Sequence, residues 1–242
     1  FDAPGVLTRN PALLKEVFLS MIGVDPADDQ SFELRSKESK PSRKRIILCV
    51  NRSLGEMELL QTKLRSFLAQ LKLNGFEIIF IDLPEVSFDY KTISSTDIRA
   101  DITKFLHRYG SDNEPRSFEG LVECYRERPH AHLYGMERLE DALAMPQIEK
   151  SELKKLVQEN VVKARNLINS ILDRYDADFV GFLNFVDWFS IGGGPSSTLP
   201  VSFETKPPIS IMLGSRVGND LALLDIVQEF SEVAKAAQHT DN

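Results

Sequence analysis

The chain has 242 residues, enough to bury the core of one large domain or of one domain with an insertion. A net charge of -7 argues against nucleic-acid binding, which requires a concentrated basic patch, although the composition is otherwise ordinary at 42% hydrophobic and 27% charged. No apolar run reaches the roughly 18–20 residues that cross a membrane. Two cysteines cannot form a disulfide framework, which favours the cytoplasm. From charge and hydropathy we expect the protein to bind neither nucleic acid nor membrane.

The first predicted element is an amphipathic helix. Asn10 can cap it, Pro11 suits its first turn, and its apolar stripe ends near Gly23. The following segment, 24–42, is polar and rich in Asp, Ser and Lys, which predicts a loop.

A βαβ unit is predicted next. Short apolar runs at 45–50 and 76–83 are typical of strands, and the segment between them, 55–73, has the 3.6-residue period of a helix. Gly75 stands where a glycine commonly ends a helix. Such a unit implies two parallel strands, with Cys49 buried in the first.

The rest of the chain alternates helices with strands. Several short helices are predicted over 94–144, a long helix over 151–174, and a closing helix over 220–237 that Asn219 caps. Strands are predicted at 178–183, 196–203 and 209–213. This alternation predicts an α/β fold.

Both ends of the sequence resemble one enzyme family. Residues 1–10, FDAPGVLTRN, resemble an S-x-D-x-x-G-P-x-x-R stretch, and residues 195–203, 208–214 and 219–224 resemble G-x-P-x-x-x-V-P-x-G, P-x-G-x-x-x-x-G and D-x-x-L-L. These are motifs of the amidase signature hydrolases. The resemblance implies that the chain is the C-terminal portion of such a protein, following its catalytic core.

The middle of the chain resembles the branch of this family that includes peptide amidases. Residues 97–106, 116–122 and 134–142 are similar to its F-K-x-x-L-N-x-Y-L, V-R-S-L-x-x-L-I and F-G-Q-E-x-L-x-x-A segments, in the same order. Two departures occur where the family borders its substrate pocket. Residues 176–184, DADFVGFLN, lack the usual Pro-Thr, and Gly192–Gly194 replaces A-G-x-P or T-G-x-P.

The resemblance implies a single amidase-like α/β domain over 1–242 with a mainly helical middle, about 94–174. Its large mixed β-sheet would be covered by helices on both faces and completed by a missing N-terminal part. The reaction would be hydrolysis of a carbon–nitrogen amide bond in a small substrate, without metal or organic cofactor. The partner would be the N-terminal part of the same protein or a complementary chain, and an oligomer is possible.

The family's Ser-Ser-Lys apparatus and its glycine-serine loop do not occur in this sequence, so we assign no catalytic residue. A buried lysine as base would activate the serine, and backbone N–H groups would bind the oxyanion. Three alternatives stay open. They are a catalytically inactive binding or scaffolding subunit, an amidotransferase subunit like the A subunit of glutamyl-tRNA amidotransferase, and an ordinary ligand-binding domain.

Four residues are candidates for substrate binding by their position in the resemblance: Asn184, Asp187, Trp188 and Gly193. A carboxylate beside an aromatic ring would suit an amide or amine. The alternative is that Trp188 packs in the core and Asp187 caps a turn. Gly193 and its neighbours could cradle a phosphate or an oxyanion, or form a tight turn that enters a strand.

Other candidate sites have weaker signals. Cys124, His130 and His132 have a loosely metal-like spacing without a fourth ligand, which favours surface histidines over a zinc site. Ser196 and Ser197 are expected to be structural, because they lie at a strand start and not in a signature loop.

Overall fold

A computed structural model describes residues 5–26, 44–112, 114–128, 130, 135–202 and 206–240. Within 1–86 and 161–242 the described residues form one compact unit, and within 87–160 they form another. The strands are β1 (Arg45–Val50), β2 (Glu77–Asp82), β3 (Phe179–Phe182), β4 (Ser196–Ser202) and β5 (Ile209–Gly214). The helices are α1 (Pro11–Met21), α2 (Glu56–Thr62), α3 (Arg65–Leu73), α4 (Tyr90–Tyr109), α5 (Phe118–Arg126), α6 (Glu137–Ala144), α7 (Lys150–Arg174), α8 (Trp188–Gly192) and α9 (Asp220–Thr240).

The first unit contains a five-stranded mixed sheet in the order β2-β1-β3-β5-β4. β1 runs parallel to both β2 and β3, whereas β5 is antiparallel to β3 and β4. The predicted α/β class, the parallel β1–β2 pair and all five predicted strands are confirmed, with ends that differ by at most one residue.

One face of the sheet packs against α2, α3 and α9. Alternate residues of β1, among them Ile46 and Leu48, point to this face, as the two-residue period of a strand requires. Phe230 of α9 lies at its centre, with ring centroids 5.3 Å from Phe67 and 5.5 Å from Phe76, both edge to face. Apolar burial on this face holds these helices on the strands.

The opposite face of the sheet carries α8. The ring of Phe182 in β3 meets the rings of Trp188 and Phe189 edge to face, at centroid distances of 5.0 and 6.0 Å. Gly214 makes this packing possible, because a Cβ atom there would lie 2.2 Å from the Phe189 ring. Helices therefore cover both faces of the sheet, as the sequence predicts.

Two helical predictions need correction. The single helix predicted over 55–73 is two helices, α2 and α3, with a break at Lys63 and Leu64. A 3-10 turn, Arg52–Leu54, precedes them. The short helices predicted from residue 94 begin with α4, which is 20 residues long. The first helix is confirmed: the side chain of Asn10 accepts a hydrogen bond from the Ala12 N–H at 3.1 Å.

The regular elements of the second unit are all helices among its described residues. Phe118 and Val122 of α5 are fully buried and pack with Met136 and Ala142 in a separate small core. Asn160 accepts a hydrogen bond from the Asp89 N–H at 2.9 Å, which ties the two ends of this unit together. In neither unit does a described helix have the length and apolar content needed to cross a membrane.

Candidate ligand-binding site

The site that the topology favours lies where β1 and β3 end. These strands are parallel neighbours, and the chain leaves β1 towards β2 on one side and reaches β3 on the other. In open α/β sheets, ligands bind outside the carboxyl ends of strands at such a reversal of strand order. Asn51 follows β1 directly and Asn184 lies two residues after β3. With Glu56 they form what we call the switch-point site.

The turn after β1 places Glu56. The side chain of Asn51 accepts hydrogen bonds from the N–H and the hydroxyl of Ser53, at 3.1 and 2.6 Å. Gly55 then adopts a left-handed conformation with φ 69°, which favours glycine and brings the chain directly into α2. Glu56 is the first residue of that helix.

The carboxylate of Glu56 joins the ends of the two strands. It is only 6% exposed, and its Oε2 accepts a hydrogen bond from the backbone N–H of Asn51 at 2.6 Å. Its Oε1 accepts a hydrogen bond from the side-chain Nδ2 of Asn184. Hydrogen bonds to an ionised acceptor are strong, and they compensate for the removal of this charge from water.

The charge of this carboxylate acts on the thiol of Cys49. Burial, reinforced by the negative charge of Glu56, raises the pKa of Cys49 to about 12. Cysteine reacts as the thiolate, so Cys49 stays protonated and unreactive at neutral pH. The predicted burial of Cys49 is confirmed, and its thiol offers the switch-point site no nucleophile.

We expect only one of the two thiols to react in the folded protein. Cys124 is partly exposed, whereas Cys49 is buried. A disulfide reagent such as DTNB at pH 8 should release about one equivalent from the native chain and two after denaturation. Cys124→Ser should abolish the native reaction, and Cys49→Ser should leave it unchanged. Rapid labelling of Cys49 would contradict the burial described here.

The predicted substrate-binding residues lie in two places. Asn184 is exposed at the carboxyl end of β3, in the switch-point site. Gly193 precedes β4, whose first residue, Ser196, pairs with Gly214 opposite the start of β3. Asn184 and Gly193 therefore lie at opposite ends of the strands, and the structure does not bring them together.

Asp187 and Trp188 connect these two places through α8. Trp188 is 4% exposed and packs in the core, which matches the alternative considered for it. Asp187 precedes α8, and its side chain makes no capping hydrogen bond. Gly193 ends α8 with φ 68°, so the tight turn considered for it is what the chain forms here. Substrate binding by these residues stays a prediction.

A small cleft of about 250 Å³ lies beside the glycine turn, between α7 and the segment after β5. Arg165 of α7 donates from Nε to the carbonyl of Gly192 at 2.6 Å. Arg216 donates to the carboxylate of Asp173 at 2.7 Å and to the side-chain oxygen of Asn169 at 3.2 Å. Arg165 therefore ties the glycine turn to α7, whereas Arg216 binds two acceptors of α7 itself.

The ranges that the structure describes contain no group of three His, Cys, Asp or Glu side chains placed to hold a metal ion. His132, one of the three residues considered for such a site, lies outside the described residues.

Sequence comparisons identify no relative: no protein-family model matches the chain, and no curated protein matches it. Solved structures do match. An amidase family protein from Bacillus anthracis str. Ames superposes with a TM-score of 0.73 at 16% identity, over 94% of this chain and 47% of that one. The native peptide amidase from Stenotrophomonas maltophilia gives 0.72 at 16% identity, over 96% and 53%.

A third match extends beyond peptide amidases. A bacterial aryl acylamidase of the amidase signature enzymes family superposes with a TM-score of 0.54 at 16% identity, over 82% of this chain and 45% of that one. The fold of the chain is therefore that of amidase-signature structures, and the predicted resemblance is confirmed at this level. The chain spans about half the length of the structures that it matches.

Proposed function

We propose that this chain is the C-terminal portion of an amidase-like hydrolase that cleaves carbon–nitrogen amide bonds. The observation that carries the proposal is the superposition of 94–96% of the chain on amidase structures about twice its length. On this proposal the chain forms one wall of the substrate cleft at the switch-point site, and the groups that break the bond come from sequence outside it.

The chemistry of the switch-point site supports a binding role. Each carboxylate oxygen of Glu56 accepts a hydrogen bond, and the thiol of Cys49 is protonated. Ser196 and Ser197 lie at the start of β4, at the end of the strands opposite to Asn184. A serine nucleophile needs an adjacent base, and the switch-point site pairs no hydroxyl with a base of that kind.

The test compares this chain with the protein translated from its complete reading frame. Both are assayed on primary amides, peptide amides and anilides, and both are treated with a fluorophosphonate probe that labels activated serines. We expect turnover and labelling for the complete protein, and neither for residues 1–242 alone, because the Ser-Ser-Lys groups are not in this sequence.

Three results would overturn the proposal. Turnover by residues 1–242 alone would place the reacting groups in this chain. A complete protein that neither turns over nor is labelled would be an inactive binding subunit. Activity on glutamine that requires a partner subunit would indicate an amidotransferase.

A further inference from the structure

We infer that Glu56 is a positioning residue that fixes the side-chain amide of Asn184, so that the switch-point site selects ligands that present an N–H group. The inference rests on the proposed function only in taking the carboxyl ends of β1 and β3 as the substrate side. It names the chemistry recognised there: a primary amide or amine attached to an apolar group.

The direction of the Asn184 amide follows from the chemistry of its partner. An ionised carboxylate accepts hydrogen bonds and donates none, whereas an asparagine side chain has one donating and one accepting end. The backbone N–H of Asn51 holds Oε2 of Glu56 at 2.6 Å, which leaves Oε1 for Asn184. Asn184 must therefore turn its NH2 group towards Glu56 and its carbonyl oxygen away from it.

Asn184 is the accessible member of the pair. Glu56 is buried and Asn184 is exposed, so a ligand meets Asn184 first. Among the described residues, the hydrogen bond to Glu56 is the one that the Asn184 side chain makes. Its Oδ1 is thus an acceptor that a ligand N–H can use.

Exposed apolar side chains adjoin both members of the pair in the sequence. Phe185, directly after Asn184, is 78% exposed, and Leu54, two residues before Glu56, is 67% exposed. They would contact the apolar part of a ligand whose N–H binds Asn184.

The inference predicts discrimination between ligands that match in shape but differ in the N–H group. Phenylacetamide can donate to Asn184, and methyl phenylacetate cannot. Since an unmatched polar group costs about a factor of ten or more in affinity, we expect the amide to bind roughly tenfold more tightly to the wild-type chain. Titration of 15N-labelled chain, followed by NMR, measures both dissociation constants without any need for turnover.

Two variants separate positioning from a structural role. Asn184→Leu should bring the two dissociation constants together by weakening the amide. Glu56→Gln should also reduce the ratio, chiefly by strengthening the ester, because a glutamine can donate to Asn184 and let its NH2 group turn outward. Glu58→Gln, a change at an exposed position of the same helix, is the matched control and should leave the ratio unchanged.

The side-chain NH2 resonances of Asn184 provide a direct signature of the pair. In the wild type they should be shifted by the charge-assisted hydrogen bond, and Glu56→Gln should move them more than any signal of α2 outside the turn. Equal affinity for amide and ester in the wild type, no detectable binding of either at millimolar concentration, or an unchanged ratio in Asn184→Leu would each overturn the inference.

These outcomes are distinct from those of the proposed function. Selective binding of phenylacetamide by a complete protein without turnover would refute the hydrolase and keep the inference. Turnover by a complete protein in which Asn184→Leu slows amide and ester hydrolysis equally would keep the hydrolase and refute the inference.

Discussion

Phe230→Ala should lower the free energy of unfolding by about 3–5 kcal/mol, the usual cost of emptying a buried phenylalanine site. Phe230 is 1% exposed, and its ring makes edge-to-face contacts with both Phe67 and Phe76. These three side chains belong to α9, to α3 and to the residue directly before β2. The substitution therefore opens a cavity where two helices meet the sheet. Urea unfolding followed by circular dichroism measures the change.

Phe185→Ala is the matched control for this prediction. It removes the same number of atoms from a ring that is 78% exposed, so its effect should stay within about 0.5 kcal/mol. Similar losses for the two variants would mean that the core described around Phe230 is wrong.

The strands could be predicted because each carries its own signal. Five of the six residues of β1 are buried, and its apolar run needs no partner to be seen in the sequence. The order of the strands could not be predicted in this way. β3 lies more than a hundred residues after β1, and their pairing depends on packing between distant segments, which local patterns do not encode.

The break between α2 and α3 also has no local signal. Residues 56–73 contain neither glycine nor proline, and the buried positions Leu60, Leu64, Phe67 and Leu71 keep a helical period across the break. A single helix was therefore the natural prediction. Leu64 departs from helical geometry with ψ 13°, and we have no physical account of why the chain breaks there.

The candidate site shows the same division between local and distant information. Asn184 could be singled out by its position in the family resemblance, but its partner could not. A glutamate in the first turn of a helix usually only complements the helix dipole and faces water. The one local signal for Glu56 is the turn before it. Asn51 directly after β1 and Gly55 in a left-handed conformation return the side chain of Glu56 to the end of the strand. The contact with Asn184 required the parallel pairing of β1 and β3.

Gly214→Ala should destabilise the chain by about 1–3 kcal/mol, although glycine-to-alanine changes in an unstrained backbone often stabilise by about 0.4–1 kcal/mol. The added Cβ would lie 2.2–2.5 Å from three atoms of the Phe189 ring. That ring is 0% exposed and packs against Phe182, so it cannot turn away without disturbing the core. Steric overlap therefore outweighs the entropic gain. Gly23→Ala is the control, because nothing lies within 4 Å of a Cβ there.

A double-mutant cycle assigns the loss to this one contact. Phe189→Leu removes the ring atoms that an alanine at position 214 would strike, while it keeps an apolar side chain in the core. We expect the loss in the double variant to be smaller than the sum of the two single losses, by about 0.5–3 kcal/mol, as is usual for residues in contact. Chemical denaturation of the four proteins gives this coupling energy. Additive losses would show that the strain at Gly214 is relieved elsewhere, and that the close packing of α8 on the sheet is not what requires glycine.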